Sequence, residues 1–215
     1  IIDAEFNFVD RKTFEETYEL IKEKEPVRYD AFISYSHSEP DAFIAKKLHF
    51  MLEHYKVPKK IRQICGKKKI ERVFRDREEL PLSANLAMGI CEALEQSEYL
   101  IVICSPRSLR SEWVQREIET FLLTHTKDKI LTLLAEGEPA EVFPDTLCYE
   151  ERTLLRPDGT TEIVQERIEP MAADVRGADH GTIEKKLKEE FLRILAPMLG
   201  CTYDELKQRH RDYMF

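Results

Sequence analysis

At 215 residues the chain has room for one ordinary domain with a full core, and 42% hydrophobic beside 34% charged residues is the balance of a water-soluble globular protein. A net charge of −8 argues against a nucleic-acid partner, and the basic knot Lys67-Lys68-Lys69 reads as a solvated loop. Five cysteines with no Cys-x-x-Cys pair and no metal-ligand spacing exclude a disulfide framework or zinc site by pattern, and no run nears the ~20 apolar residues of a membrane span. The expectation is a cytoplasmic chain without membrane contact in this segment, with no signal peptide visible.

Residues 1–28 read as a helical appendage. Asp10 is placed to cap a helix from Arg11 to about Lys24, striped by Phe14, Tyr18 and Ile21 and ended by Pro26. Tyr29 to Tyr35 is the first strand, and the polar loop from Ser36 to Asp41 leads into a helix carrying Ile44, Leu48, Met51, Leu52 and Tyr55, which Pro58 stops. A second strand is expected near Ile70 to Phe74, followed by the charged loop Arg75 to Ala84. Asn85 then caps a helix with Leu86, Ile90, Ala93 and Leu94 inward.

Tyr99 to Cys104 is a continuous apolar run, the pattern of a strand buried on both faces of a parallel sheet. A helix capped by Ser111 follows, and Lys129 to Leu134 makes a fourth strand before the turn Glu136-Gly137-Glu138-Pro139 and a loop ending near Pro144. Cys148 to Leu155 and Thr161 to Ile168 flank Pro157-Asp158-Gly159, which is hairpin chemistry. A short last strand is expected around Met171 to Val175. The helix from Thr182 to Met198 should end a residue or two early at Pro197, and a final helix starts near Thr202. Strands alternating with helices give an α/β fold with a doubly wound parallel sheet. No Gly-x-Gly-x-x-Gly or Gly-Lys-Ser/Thr loop occurs, which sets aside the dinucleotide-fingerprint and P-loop classes.

The helix after the third strand carries the candidate chemistry. Val114, Ile118, Phe121 and Leu122 form its sheet-facing stripe, whereas Glu112, Gln115, Arg116 and Glu119 fall on the opposite face. Trp113 and Glu117 lie four apart at the edge of the stripe, above the carboxyl end of a central strand, where open α/β sheets collect ligands. Two readings stand side by side: a carboxylate and an indole set for a planar substrate, or a core flank beside a surface ion pair.

Four stretches resemble the Toll/interleukin-1 receptor (TIR) domain. Asp30 to Tyr35 is similar to its first strand, Val73 to Pro81 to its second strand and BB loop, Leu100 to Ser105 with Ser111-Glu112-Trp113 to its third strand and helix, and Phe143-Pro144 to its fourth loop. Ser83 stands where many members carry Gly. The resemblance implies a flavodoxin-like TIR fold over residues 29–200, with a hairpin insertion at about 148–168 and extra terminal helices at 1–28 and 201–215.

In the family's enzymatic members a glutamate in a Trp-x-x-x-Glu-like context serves cleavage of the nicotinamide–ribose bond of NAD+, and Trp113 with Glu117 matches that context. The resemblance therefore implies an NAD+ glycohydrolase or cyclase with Glu117 catalytic. Trp113, Phe32, Tyr35, Ser36, His37, Asp76 and Ser105 become the implied substrate-binding set. Arg75, Arg77, Glu78, Glu79, Leu80 and Pro81 form the implied self-association loop. No metal or cofactor beyond NAD+ as substrate is implied; the expected partner is a second TIR copy, and the expected role is a bacterial antiphage effector or signal-producing enzyme. The alternative is a non-enzymatic adaptor that only binds other TIR domains.

Overall fold

The computed structural model describes residues 29–65, 67, 69–75, 86–156 and 159–214. The expected N-terminal helix, most of the charged loop with Ser83 and the Asn85 cap, and the Pro157-Asp158 tip lie outside the described residues. The main sheet is built from β1 (Tyr29–Ser34), β2 (Val73–Phe74), β3 (Ser97–Cys104), β4 (Ile130–Leu134) and, last in the chain, β7 (Ala172–Asp174). All its pairings are parallel, in the order β2-β1-β3-β4-β7. From β1 the chain goes first to one neighbour and then crosses to the other, so the strand order reverses between β1 and β3. The fold is the doubly wound α/β arrangement expected.

Side-chain alternation along the strands sorts two cores. Ala31, Ile33, Ile101, Ile103 and Leu133 pack against Ile44 and Leu48 of α1 (Asp41–His54) and Leu187 and Leu195 of α7 (His180–Leu199). Phe32, Leu100, Val102 and Leu134 point the other way. They meet Ile90 and Leu94 of α3 (Leu86–Glu95), with Val114, Ile118 and Phe121 of α5 (Glu112–Leu122). A strand sandwiched this way is apolar at every position, which is why Tyr99 to Cys104 shows no period of two.

Three details differ from the sequence expectation. Chain direction does change near Pro58, but a further helix α2 (Lys59–Cys65) begins there, its first turn anchored by Ile61 and Arg62 N–H donating to the Pro58 carbonyl. A short helix α4 (Pro106–Arg110) is inserted between β3 and α5. Five residues hold too few turns for periodicity to report; the signals were Pro106 at its first position and Ser105 as cap. Finally, α7 runs through Pro197 to Leu199 and starts at His180, with Asp179 accepting from Thr182 N–H. Ile194, Leu195, Ala196, Met198 and Leu199 are buried on either side of Pro197, and its carbonyl accepts the Tyr99 hydroxyl at 2.8 Å, so packing outweighs the lost backbone donor.

After the short α6 (Pro139–Val142), β5 (Tyr149–Leu155) and β6 (Thr161–Arg167) pair antiparallel from Tyr149↔Arg167 to Leu155↔Thr161. This hairpin forms a sheet of its own, separate from the main one. Its turn uses Gly159 at φ +83°, a left-handed conformation that a side chain would strain. The chain closes on α8 (Tyr203–Met214), anchored by buried Leu206.

Candidate functional site

The parity that puts Phe32 on the α5 side puts Ser34, two residues on, there as well. Ser34 is only 1% exposed, and its hydroxyl donates to Glu117 Oε2 at 2.5 Å. Glu117 is presented by α5, whose first turn is capped by Ser111 Oγ accepting from Val114 N–H. Buried Val114, Ile118 and Phe121 fix the rotation of that helix, leaving Trp113 and Glu117 half-buried at its edge. The helix is short and amphipathic, so its orientation follows from this apolar stripe rather than from propensity.

A crevice opens at the carboxyl ends of β1 and β2, beside the point where strand order reverses. Phe32, Phe74, Ile90 and Trp113 are its apolar walls, and Tyr35, His37, Arg75 and Glu117 its polar ones. Phe32 and Phe74 stack with ring centres 4.9 Å apart, and Tyr35 stacks on His37 at 4.8 Å. Arg75 Nη1 donates to the Tyr35 hydroxyl at 3.4 Å. Among the described residues, one carboxylate and one guanidinium thus face a space otherwise walled by rings and Ile90. The enclosed volume is about 30 Å³. The space is small and open to solvent, so most of a ligand the size of a dinucleotide would lie outside these walls.

Of the residues singled out from sequence, Phe32, Tyr35, His37, Trp113 and Glu117 converge here. Arg75, assigned to the self-association loop, also lines the crevice. Asp76, Arg77, Glu78, Glu79, Leu80 and Pro81 lie outside the described residues. Ser105 is a correction: it is fully buried and spends its hydroxyl inward, accepting from Arg107 and Ser108 N–H at 3.2 and 3.1 Å and donating to Asp41 Oδ2 at 2.7 Å. It caps α4 and does not reach the crevice. Ser36 is likewise buried and is not among the crevice walls.

Sequence reasoning missed Ser34, Phe74 and Ile90, although strand parity would have flagged Ser34. It also missed Asp41, the first residue of α1, which is 0% exposed. Its Oδ1 has no hydrogen-bond partner among the described residues. Burial pushes its carboxyl up to about 6, against the opposing pull of the Ser105 hydroxyl and the Arg107 cation. Among the described residues no cluster of His, Cys, Asp and Glu has the arrangement of a metal site, and no helix is long and apolar enough to cross a membrane.

A family model described as the TIR domain matches residues 31–158, more than half of the chain. The chain belongs to the TIR family. The matched span runs from β1 into the hairpin turn and contains every residue of the crevice. Two curated relatives are similar to this TIR domain. NAD(+) hydrolase ApTIR of an Actinoplanes species is 35% identical over 115 residues, covering 52% of this chain and 15% of that protein. NAD(+) hydrolase TcpA of a Theionarchaea archaeon is 30% identical over 108 residues, covering 49% of this chain and 27% of that protein. The chain therefore spans a minor part of the length of either relative.

Proposed function

We propose that this TIR domain is an NAD+ nucleosidase, acting as a glycohydrolase or cyclase at the nicotinamide–ribose bond. The observation that carries the reading is the Glu117 carboxylate, held by Ser34 and flanked by Trp113, in an aromatic crevice at the sheet's switch point. The names of both relatives support it.

In the step itself the C–N glycosidic bond breaks and its electron pair leaves with the pyridine nitrogen, giving neutral nicotinamide. The sugar carbon becomes oxocarbenium-like. Glu117, anionic and fixed, stabilises that positive charge where it develops and accepts hydrogen bonds from the ribose hydroxyls. Trp113, Phe32 and Phe74 supply flat apolar surface for the departing ring. Water then adds to the sugar carbon and loses a proton to solvent, giving ADP-ribose; capture by a nucleophile of the same molecule gives a cyclic product. Arg75, the cation among the described residues of these walls, has the charge to suit the diphosphate.

Self-assembly is part of the proposal. The crevice formed by the described residues encloses only a fraction of a dinucleotide, and in this proposal a second copy supplies further walls. The alternating charges of Arg75, Asp76, Arg77, Glu78 and Glu79 suit such a contact. In this reading the enzyme works in the cytoplasm as an antiphage effector or as the source of a nucleotide signal. The adaptor reading is favoured by one observation: Leu155 and Ile163 on the hairpin are 76% and 68% exposed, the mark of a surface for another protein.

The test is incubation of the purified protein with NAD+, dilute and then concentrated, with nicotinamide and nucleotide products separated chromatographically. Nicotinamide release that rises more than in proportion to protein supports both enzyme and assembly. No release at any concentration returns the domain to the adaptor reading.

A further inference from the structure

Four buried serines have hydroxyls whose bonds can be followed. Ser97 donates to the Ala93 carbonyl, Ser108 to the Ser105 carbonyl and Ser105 to Asp41, all within the body of the fold. Ser34 is different, because its hydroxyl bonds to a side chain on the wall of the crevice. Serine is a poor choice for the end of a central strand, where a β-branched apolar residue packs better. Its presence between the apolar faces of β1 and α5 is explained by the group it holds.

We infer that Ser34 is a positioning residue of the NAD+ reaction: its hydroxyl fixes the orientation of the Glu117 carboxylate, and it never touches substrate. This rests on the nucleosidase reading of the site. At 1% exposure Ser34 is closed to ligand. Its backbone is locked by the sheet, since β1 pairs with β2 on one side and β3 on the other and Ser34 itself lies opposite Val102. The hydroxyl keeps one torsion, and its single proton is directed at Oε2.

Glu117, in contrast, sits half-exposed at the end of a side chain with three torsions. A glutamate at a helix edge has several rotamers open to it, and the Ser34 bond favours those that hold the carboxylate toward the crevice. A donor fixed to the sheet selects among them before substrate arrives. The bond moves no proton during the reaction; it sets where the negative charge is.

The experiment is a double-mutant cycle at saturating protein concentration, with kcat and KM for nicotinamide release from NAD+ measured for wild type, Ser34→Ala, Glu117→Gln and the double variant. Loss of one hydrogen bond to a charged group predicts a kcat about tenfold lower for Ser34→Ala. KM should stay within about twofold, and the Glu117→Gln background should show no further loss. A merely structural serine would lower both backgrounds alike. Wild-type kcat in Ser34→Ala, or the same loss repeated in Glu117→Gln, overturns the inference.

If the alanine variant does not fold, Ser34→Cys keeps the size with a weaker donor, and its smaller loss is read through the same cycle. If wild type releases no nicotinamide, the nucleosidase reading falls by itself. Positioning is then decided by 13C NMR of the Glu117 carboxyl, whose titration midpoint should rise in Ser34→Ala. Among the described residues, Tyr35 and His37 after β1 and Arg75 after β2 share the crevice walls with it, Glu112 and Arg116 lie on the same helix, and every one of them is identical in both proteins. An unchanged midpoint overturns the inference in that case.

Discussion

Replacing Asp41 with Asn should stabilise this protein, against the usual expectation for a buried hydrogen-bonded carboxylate. Asp41 is 0% exposed, and its carboxyl is raised from 3.8 to about 6 because burial costs the anion more than Ser105 and Arg107 return to it. The folded state therefore binds this proton more tightly than the unfolded chain. Stability from this group is fully present below about pH 4, falls as pH rises toward 6, and stays lost above that. A difference of about two pH units corresponds to roughly 3 kcal/mol at pH 7.5. The asparagine side chain carries no charge to desolvate, and its amide oxygen still accepts from the Ser105 hydroxyl, but its NH2 takes the place of the unpartnered Oδ1 and gives back part of the gain at every pH. For a chain of this length a gain of at most about 3 kcal/mol raises Tm by no more than roughly 6–12 °C. Melts followed by circular dichroism between pH 4 and pH 8 read the effect: the Tm of Asp41→Asn relative to wild type should be lowest at pH 4 and rise through pH 6. A variant destabilised by the same amount at every pH would refute the reasoning, because the carboxylate would then be stabilising the fold while ionised.

Glu117→Gln keeps size and loses charge, so it should fold with Tm within about 2 °C of wild type and release nicotinamide at least about a hundredfold more slowly. Near-normal turnover would remove the residue from the mechanism. Specific activity should rise with protein concentration across the micromolar range and fall with added salt, because opposite charges in the Arg75 to Glu79 loop are the proposed contact; activity per molecule independent of concentration would reject assembly. Exchanging Leu155 and Ile163 for Ser should leave Tm unchanged, since both are already in water, while a large loss would show that the hairpin completes the core.

What could be read from the sequence followed from periodicity. The run Tyr99 to Cys104 has the pattern of a strand covered on both faces, and the turn residues up to Gly159 separated two extended segments whose bounds agree with β5 and β6 to within a residue at each end. The stripe Val114, Ile118, Phe121 placed Trp113 and Glu117 at the helix edge without any tertiary information. Short elements were hidden for the converse reason. In α4 five residues make little more than one turn, and in α2 the interruption at Pro58 read as an end when it was also a beginning. Pro197 misled because local propensity is weighed against burial, and burial won.

The site was legible only as far as one element could carry it. Ser105 and Ser34 both lie at the carboxyl ends of central strands, and composition does not tell them apart. Their partners do. Ser105 meets the first residue of α1 and is consumed by a buried cap, whereas Ser34 is on the face of β1 that Phe32 gives to α5 and so meets Glu117. Helix and strand each specify a face with their own period, 3.6 and 2, and the chemistry sits where the two faces are brought into register. Moving the hydroxyl by one residue along β1 would turn it toward α1 and α7 and away from Glu117, although every element would still form. The carboxylate's position is thus a property of the pairing between β1 and α5, and the hydrogen bond across that pairing is where fold and proposed activity are joined.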